Sequence, residues 1–139
     1  EFCSGLAVGV PVLPVYAGEI QSRALGIDVR IWDERGNDLV DEIGELVVAA
    51  PAPSMPLFLW NHPGDERYRA TYFDRYPGVW RHGDFAKVNA RGGMYVYGRS
   101  DATLNRYGVR IGSAEIYRAL EELDGVADSL IAFDSVSFG

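Results

Sequence analysis

The chain has 139 residues, 47% apolar and 12% aromatic, which is enough to bury a core and too apolar for a disordered segment. Its formal net charge of -7 argues against nucleic acid or an anionic membrane as a partner, because both reward a basic face that releases counterions. One cysteine and two histidines exclude an internal disulfide, a cysteine-rich metal site and most zinc frameworks.

Arginine outnumbers lysine twelve to one, so Lys87 is the one candidate for chemistry that needs an activated amine. No apolar run reaches the roughly 20 residues of a bilayer span, and no basic segment leads into a short apolar one as in a secretory leader. No basic residue or histidine stands near Cys3 in the sequence to activate it, so it reads as a small apolar filler and not a nucleophile. The expectation is a reducing, cytoplasmic setting with no nucleic-acid partner and no membrane span. Both ends read as cut, the first opening on "EFCSG" and the last closing on an apolar strand-like run, so a fragment of a longer protein is expected.

In chain order, "DVRIWDERGNDLV" offers a strand over 28–32, a turn over 34–37 with Gly36 and Asn37 in positive φ, and a return; "GELVVAA" is a further strand. "PAPSMP" is a rigid connector, because three prolines in six residues exclude helix and central strand. A short helix or turn is expected over 64–73. Next comes a hairpin with a strand over 84–88, a turn over 89–93 and a strand over 94–97. The segment "GSAEIYRALEELDGV" is a helix capped by Ser113, with Glu115 at the positive end of its dipole, Ile116, Leu120 and Leu123 on one stripe, and Gly125 as its stop. Trp32, Trp60 and Trp80 are assigned to core or inter-strand packing, and His62 to a loop, since no metal-ligand spacing surrounds it.

Three stretches carry candidate chemistry. In "WRHGDF", Gly83 lets the chain bend and present the Asp84 carboxylate, which can accept hydrogen bonds from a pair of hydroxyls or merely cap its own turn. In "GRSD", Arg99 and Asp101 flank a serine, a pattern that by itself makes a surface ion pair, worth about 0 to 1 kcal/mol, more often than a site. In "NRYGVRIGSAEI", Gly108 permits a close backbone approach, while Arg110 is either an anion clamp or a solvated strand arginine.

The ordered series G-D-F, G-R-S-D and G-V-R-I-G-S-A-E-I, with a hairpin between the first two, resembles the adenylate-forming acyl-CoA synthetases. "LPVYAGEIQSRALGIDV", "PSMPLFLWN" and "PGVWRHGDF" are similar to the acetoacetyl-CoA synthetase branch of that superfamily, and the likeness then covers nearly the whole chain. His82 and Ala102 depart from the superfamily's commoner text and fit that branch. The resemblance implies an α+β chain: the end of a large nucleotide-binding domain over 1–14, a small antiparallel β subdomain in a distorted barrel over 15–98, a hinge over 99–101, and the start of a small α/β mobile C-terminal domain over 102–139.

It further implies an acid:CoA ligase that forms acetoacetyl-CoA from acetoacetate, ATP and CoA through an acyl-adenylate. Its partners would be the small-molecule carboxylate, ATP or AMP, CoA and the remainder of its own chain. In that reading Asp84 and Arg99 hold the ribose, Asp101 is the hinge, Arg110 meets the triphosphate, Gly108 lies by the CoA pantetheine, and Glu1 coordinates Mg²⁺. The phosphate loop and acyl pocket lie outside this text and Lys87 does not match the family's C-terminal lysine, so a fragment inactive alone is expected. An acetyl- or propionyl-CoA synthetase and a non-catalytic β module are the alternatives.

Overall fold

The computed structural model describes residues 2–62, 64–101, 103–106, 109–121, 123 and 125–130. Two short strands, β1 (Ala7–Val8) and β2 (Ser22–Arg23), pair antiparallel. They precede a four-stranded antiparallel sheet in the order β3 (Val29–Trp32), β4 (Gly44–Val48), β5 (Trp80–Val88), β6 (Met94–Arg99). The antiparallel β subdomain is as expected, but among the described residues its sheet is open, with β3 and β6 at the edges, and is not a closed barrel.

Val29 and Ile31 alternate inward from β3, whereas β4 is buried at every residue, as its central position and apolar "LVV" run require. Their side chains join Leu46, Ala86, Val88 and Met94 around Trp80, whose exposure is 0%. The expected helix is α1 (Glu66–Tyr72). It buries none of its residues fully and is anchored by aromatics: Tyr72 stacks on Trp80 at 3.7 Å and 12°, while Tyr68 and Phe73 meet the same indole at 6.1 Å and 6.0 Å.

The turn after β3 differs from expectation in one residue. Gly36 takes φ 84°, but Asn37 stays out of the left-handed region because Asp33 organises it. The Asp33 carboxylate accepts from the backbone N–H groups of Arg35 and Asn37 and from the Asn37 side-chain amide, all at 2.8 Å. The β5–β6 turn is similarly held by Asn89 Oδ1, which accepts from Arg91 N and Gly93 N at 3.0 Å. Glu19 then clasps that turn from far back in the chain, accepting from Asn89 Nδ2 at 2.7 Å, Arg91 Nη2 at 2.6 Å and the Tyr95 hydroxyl at 2.9 Å.

Three side chains depart from their expected places. Trp60 is 82% exposed in the proline-flanked loop, so it is no core residue. Cys3 is exposed and fills no apolar gap. Leu123 is also exposed, because the C-terminal helix α2 (Ser113–Glu121) ends before it; that helix begins at Ser113 itself, leaving Ser113 inside its first turn. Before α2, strands β7 (Thr103–Arg106) and β8 (Val109–Gly112) form a separate antiparallel pair.

Candidate functional site

Strand β5 carries the site. Along it, the side chains of Trp80, His82 and Asp84 meet in series, Trp80 Nε1 3.3 Å from His82 Nδ1 and His82 Nε2 3.6 Å from Asp84 Oδ2. Gly83 adopts φ 87°, and its carbonyl accepts from Ser100 N at 2.9 Å. The conformation calls for glycine, and a Cβ at this position would stand 2.7 Å from Arg99 Nη2, so the guanidinium would have to shift.

Asp84 and Arg99 are direct partners across the β5–β6 ladder. The Asp84 side chain is 17% exposed, with Arg99 Nη1 and His82 Nε2 each 3.6 Å from Oδ2. Both distances exceed hydrogen-bond length, so the carboxylate oxygens keep acceptor capacity. Arg99 donates from Nε to Asp101 Oδ1 at 2.9 Å and from Nη2 to Asp101 Oδ2 at 2.5 Å, and its Nη1 reaches the His82 carbonyl at 3.3 Å. This fork raises the Arg99 pKa and lowers that of Asp101 below the usual carboxylate value. Asp84, Arg99 and Asp101, singled out from separate stretches, therefore form one cluster.

Beneath it lies a polar network that the motif reading missed. Glu45 is 4% exposed within β4; its Oε1 accepts from the Ser100 hydroxyl at 2.7 Å, and its Oε2 faces Arg81 Nε at 3.3 Å. Arg81 Nη2 also reaches Ser100 Oγ at 3.2 Å. Ser100 is thereby tied both to the sheet interior and to the strand that carries Asp84. The available signal was a carboxylate opening the otherwise apolar run "LVV", since a buried charge needs partners.

His82 is half-buried, and burial is the main reason its pKa falls below the ordinary histidine value, with the Arg99 charge adding to the effect and Asp84 opposing it. Asp84, His82 and Arg99 border a cavity of about 740 Å³ whose apolar wall includes Leu6, Tyr72 and Met94. That size is within the range of small-molecule sites, and an acceptor carboxylate flanked by donors on an apolar floor suits a sugar diol. Arg110 lies on β8 opposite Asn105 in the ladder, while Gly108 and Glu1 fall outside the described residues. Among the described residues no group of three His, Cys, Asp or Glu side chains is placed to hold a metal ion, so the Mg²⁺ expectation has no observed donor set here.

No protein-family model matches the chain. The acetoacetyl-coenzyme A synthetase of Rhizobium meliloti (strain 1021) is 49% identical over 130 residues, 94% of this chain and 20% of that protein. Relatives at 44–50% identity are acetoacetyl-CoA synthetases. The acetoacetyl-CoA synthetase of Rattus norvegicus is 50% identical over 119 residues, 85% of this chain and 18% of its own length. The solved structure of acetoacetyl-CoA synthetase from Streptomyces lividans superposes with a TM-score of 0.82 at 54% identity, covering 92% of this chain and 20% of that one. The chain thus spans about a fifth of the length of the acetoacetyl-CoA synthetases it matches.

Proposed function

We propose that this chain is part of an ATP-dependent acid:CoA ligase that makes acetoacetyl-CoA from acetoacetate, ATP and CoA through an acyl-adenylate. Its contribution is the sugar-binding face of the nucleotide site and the joint leading to a mobile domain. The observation that carries this reading is the pairing of Asp84 with Arg99 across the β5–β6 ladder at the edge of the cavity. The names of its relatives supply the reaction class and the acid.

In this reading Asp84 accepts hydrogen bonds from the ribose hydroxyls, and Arg99 supports the same sugar. Residues 1–14 and 15–98 belong to the nucleotide-binding side, 99–101 to the hinge with Asp101 at its centre, and 102–139 to the mobile side. Arg110 and Gly108 serve the two alternate poses, the first toward the triphosphate and the second along the path of CoA. Negative charge grows on the α-phosphate as the carboxylate attacks, so an arginine delivered there lowers the barrier. A rotating joint can then exchange that donor for a thiol channel. Glu1 would hold Mg²⁺, whose chemistry is to neutralise phosphate charge. Acetoacetate activation assigns the protein to lipid metabolism, and its setting to the cytoplasm. No helix among the described residues is long and apolar enough to cross a membrane.

The test is pyrophosphate exchange by the full-length protein with acetoacetate, acetate and propionate in parallel, alongside AMP binding to Asp84→Ala. Acetoacetate should drive exchange best, and the variant should lose ATP and AMP affinity together. Preference for acetate or propionate would move the protein to another acid, exchange with none would leave a non-catalytic module, and unchanged AMP affinity would remove Asp84 from the sugar site.

A further inference from the structure

We propose that His82 is a further binding residue of this site, a neutral donor held in a single tautomer by Trp80 so that its Nε2–H meets a hydroxyl of the sugar seated on Asp84. The inference rests on the reading of Asp84 as the diol acceptor and adds a residue that decides which sugars fit.

Trp80 Nε1 lies 3.3 Å from His82 Nδ1. An indole nitrogen can only donate, so Nδ1 must accept and the ring proton of the neutral imidazole sits on Nε2. Trp80 is itself immobile, with 0% exposure, its ring stacked on Tyr72 and edged by Phe2 at 5.6 Å. The donor that fixes the tautomer therefore cannot swing away. Burial keeps the imidazole neutral, which preserves that arrangement, because a proton on Nδ1 would oppose the indole N–H.

His82 lines the cavity with Nε2 3.6 Å from Asp84 Oδ2, and Arg99 Nη1 stands at the same distance from that oxygen. A gap of 3.6 Å is too long for a direct hydrogen bond and short enough for one oxygen to touch both groups. A hydroxyl placed there donates to Asp84 and accepts from His82, and a second does the same between Asp84 and Arg99. The row donor, acceptor, donor complements two adjacent hydroxyls. It rejects a sugar lacking one of them, since a buried polar group then loses its partner.

The experiment measures equilibrium affinity of the full-length protein for AMP, 2′-deoxy-AMP and 3′-deoxy-AMP in wild type, His82→Ala, His82→Gln, Trp80→Phe and Asp84→Ala. His82→Ala should weaken AMP about three- to tenfold and leave one of the two deoxy analogues unaffected, erasing wild-type discrimination at that hydroxyl. His82→Gln, which retains a donor, should restore part of the discrimination, and Trp80→Phe should lose part of it while keeping the ring packing. An equal loss for AMP and both analogues, or no loss in any His82 variant, would overturn the proposal. If Asp84→Ala leaves AMP binding unchanged, the sugar-site reading fails instead.

Discussion

Arg99 and Asp101, two residues apart, are joined by two hydrogen bonds, Nε to Oδ1 at 2.9 Å and Nη2 to Oδ2 at 2.5 Å, while Nη1 of the same guanidinium stands 3.6 Å from Asp84. One cation thus addresses both the sheet carboxylate and the second residue beyond the strand. Both partners of the fork are about half exposed, so it contributes little to stability, on the order of 0 to 1 kcal/mol. Its importance is geometric, since it fixes where the chain leaves β6. Asp101→Ala removes the fork without restricting the backbone, whereas Asp101→Pro fixes φ near -65°. In the full-length protein the alanine variant should alter stability by less than about 1 kcal/mol, and the proline variant should impair one half-reaction far more than the other. Single-turnover rates of adenylation and thioester formation check this, and equal losses in both would contradict a hinge at Asp101.

Gly83→Ala tests the other side of the same guanidinium. The substitution forces an L-residue into φ 87° and brings a methyl within 2.7 Å of Arg99 Nη2. The backbone conformation alone costs about 1–2 kcal/mol, and Arg99 must shift Nη2, the nitrogen that donates to Asp101 Oδ2, to make room. Urea denaturation should report the stability loss, and AMP affinity should fall with it. Gly78→Ala is the control: it shares a positive φ of 78° but has open space around the added methyl, so it should lose stability while retaining AMP affinity.

The parts that sequence made legible are those governed by local chemistry. The hairpin over 84–97 was readable because "VNARGG" is turn text between alternating strands, but its strands run on to Trp80 and Arg99, and it is this extension that sets Asp84 opposite Arg99. The Glu45–Ser100–Arg81 network joins residues up to 55 positions apart, and Glu19 reaches a turn 70 positions on, so no local pattern announces either one. Asn37 looked like a left-handed residue because asparagine tolerates that region. Asp33 satisfied the turn's donors first, and among the described residues the left-handed non-glycine positions are instead Asp41 and Asn61.

Glu19 should govern whether the β5–β6 turn keeps its shape. Burial alone would raise its pKa, but hydrogen bonds from Tyr95, Arg91 and Asn89 and the Arg91 charge bring it below the ordinary 4.5. Because the folded value is the lower one, the unfolded chain binds more protons as pH falls, so this contribution is fully present above 4.5 and is lost on acidification through the lowered value. Glu19→Gln should remove this part of the acid sensitivity and lower stability at pH 7, since a neutral amide accepts more weakly from arginine. Stability of wild type and variant measured from pH 3 to 7 should converge at the acid end; a constant gap would show that the charge is not what holds the turn.

His82 predicts a second, earlier step of acid destabilisation. Its pKa is lowered mainly by burial and further by Arg99, against the attraction of Asp84 and Glu45, so the native imidazole resists a proton that the unfolded one accepts near 6.5. Between the lowered value and 6.5 the unfolded state carries more protons, and stability therefore rises with pH across that window and is flat above it. His82→Gln has no proton to bind there. The stability difference between wild type and His82→Gln should be constant above pH 7 and should shrink as pH falls below 6.5, before the carboxylates begin to titrate. Histidine NMR titration supplies the direct check. A wild type that gained stability over the variant on acidification would mean that the native ring is charged, facing Asp84 as an ion pair, and Trp80 could not then be donating to Nδ1.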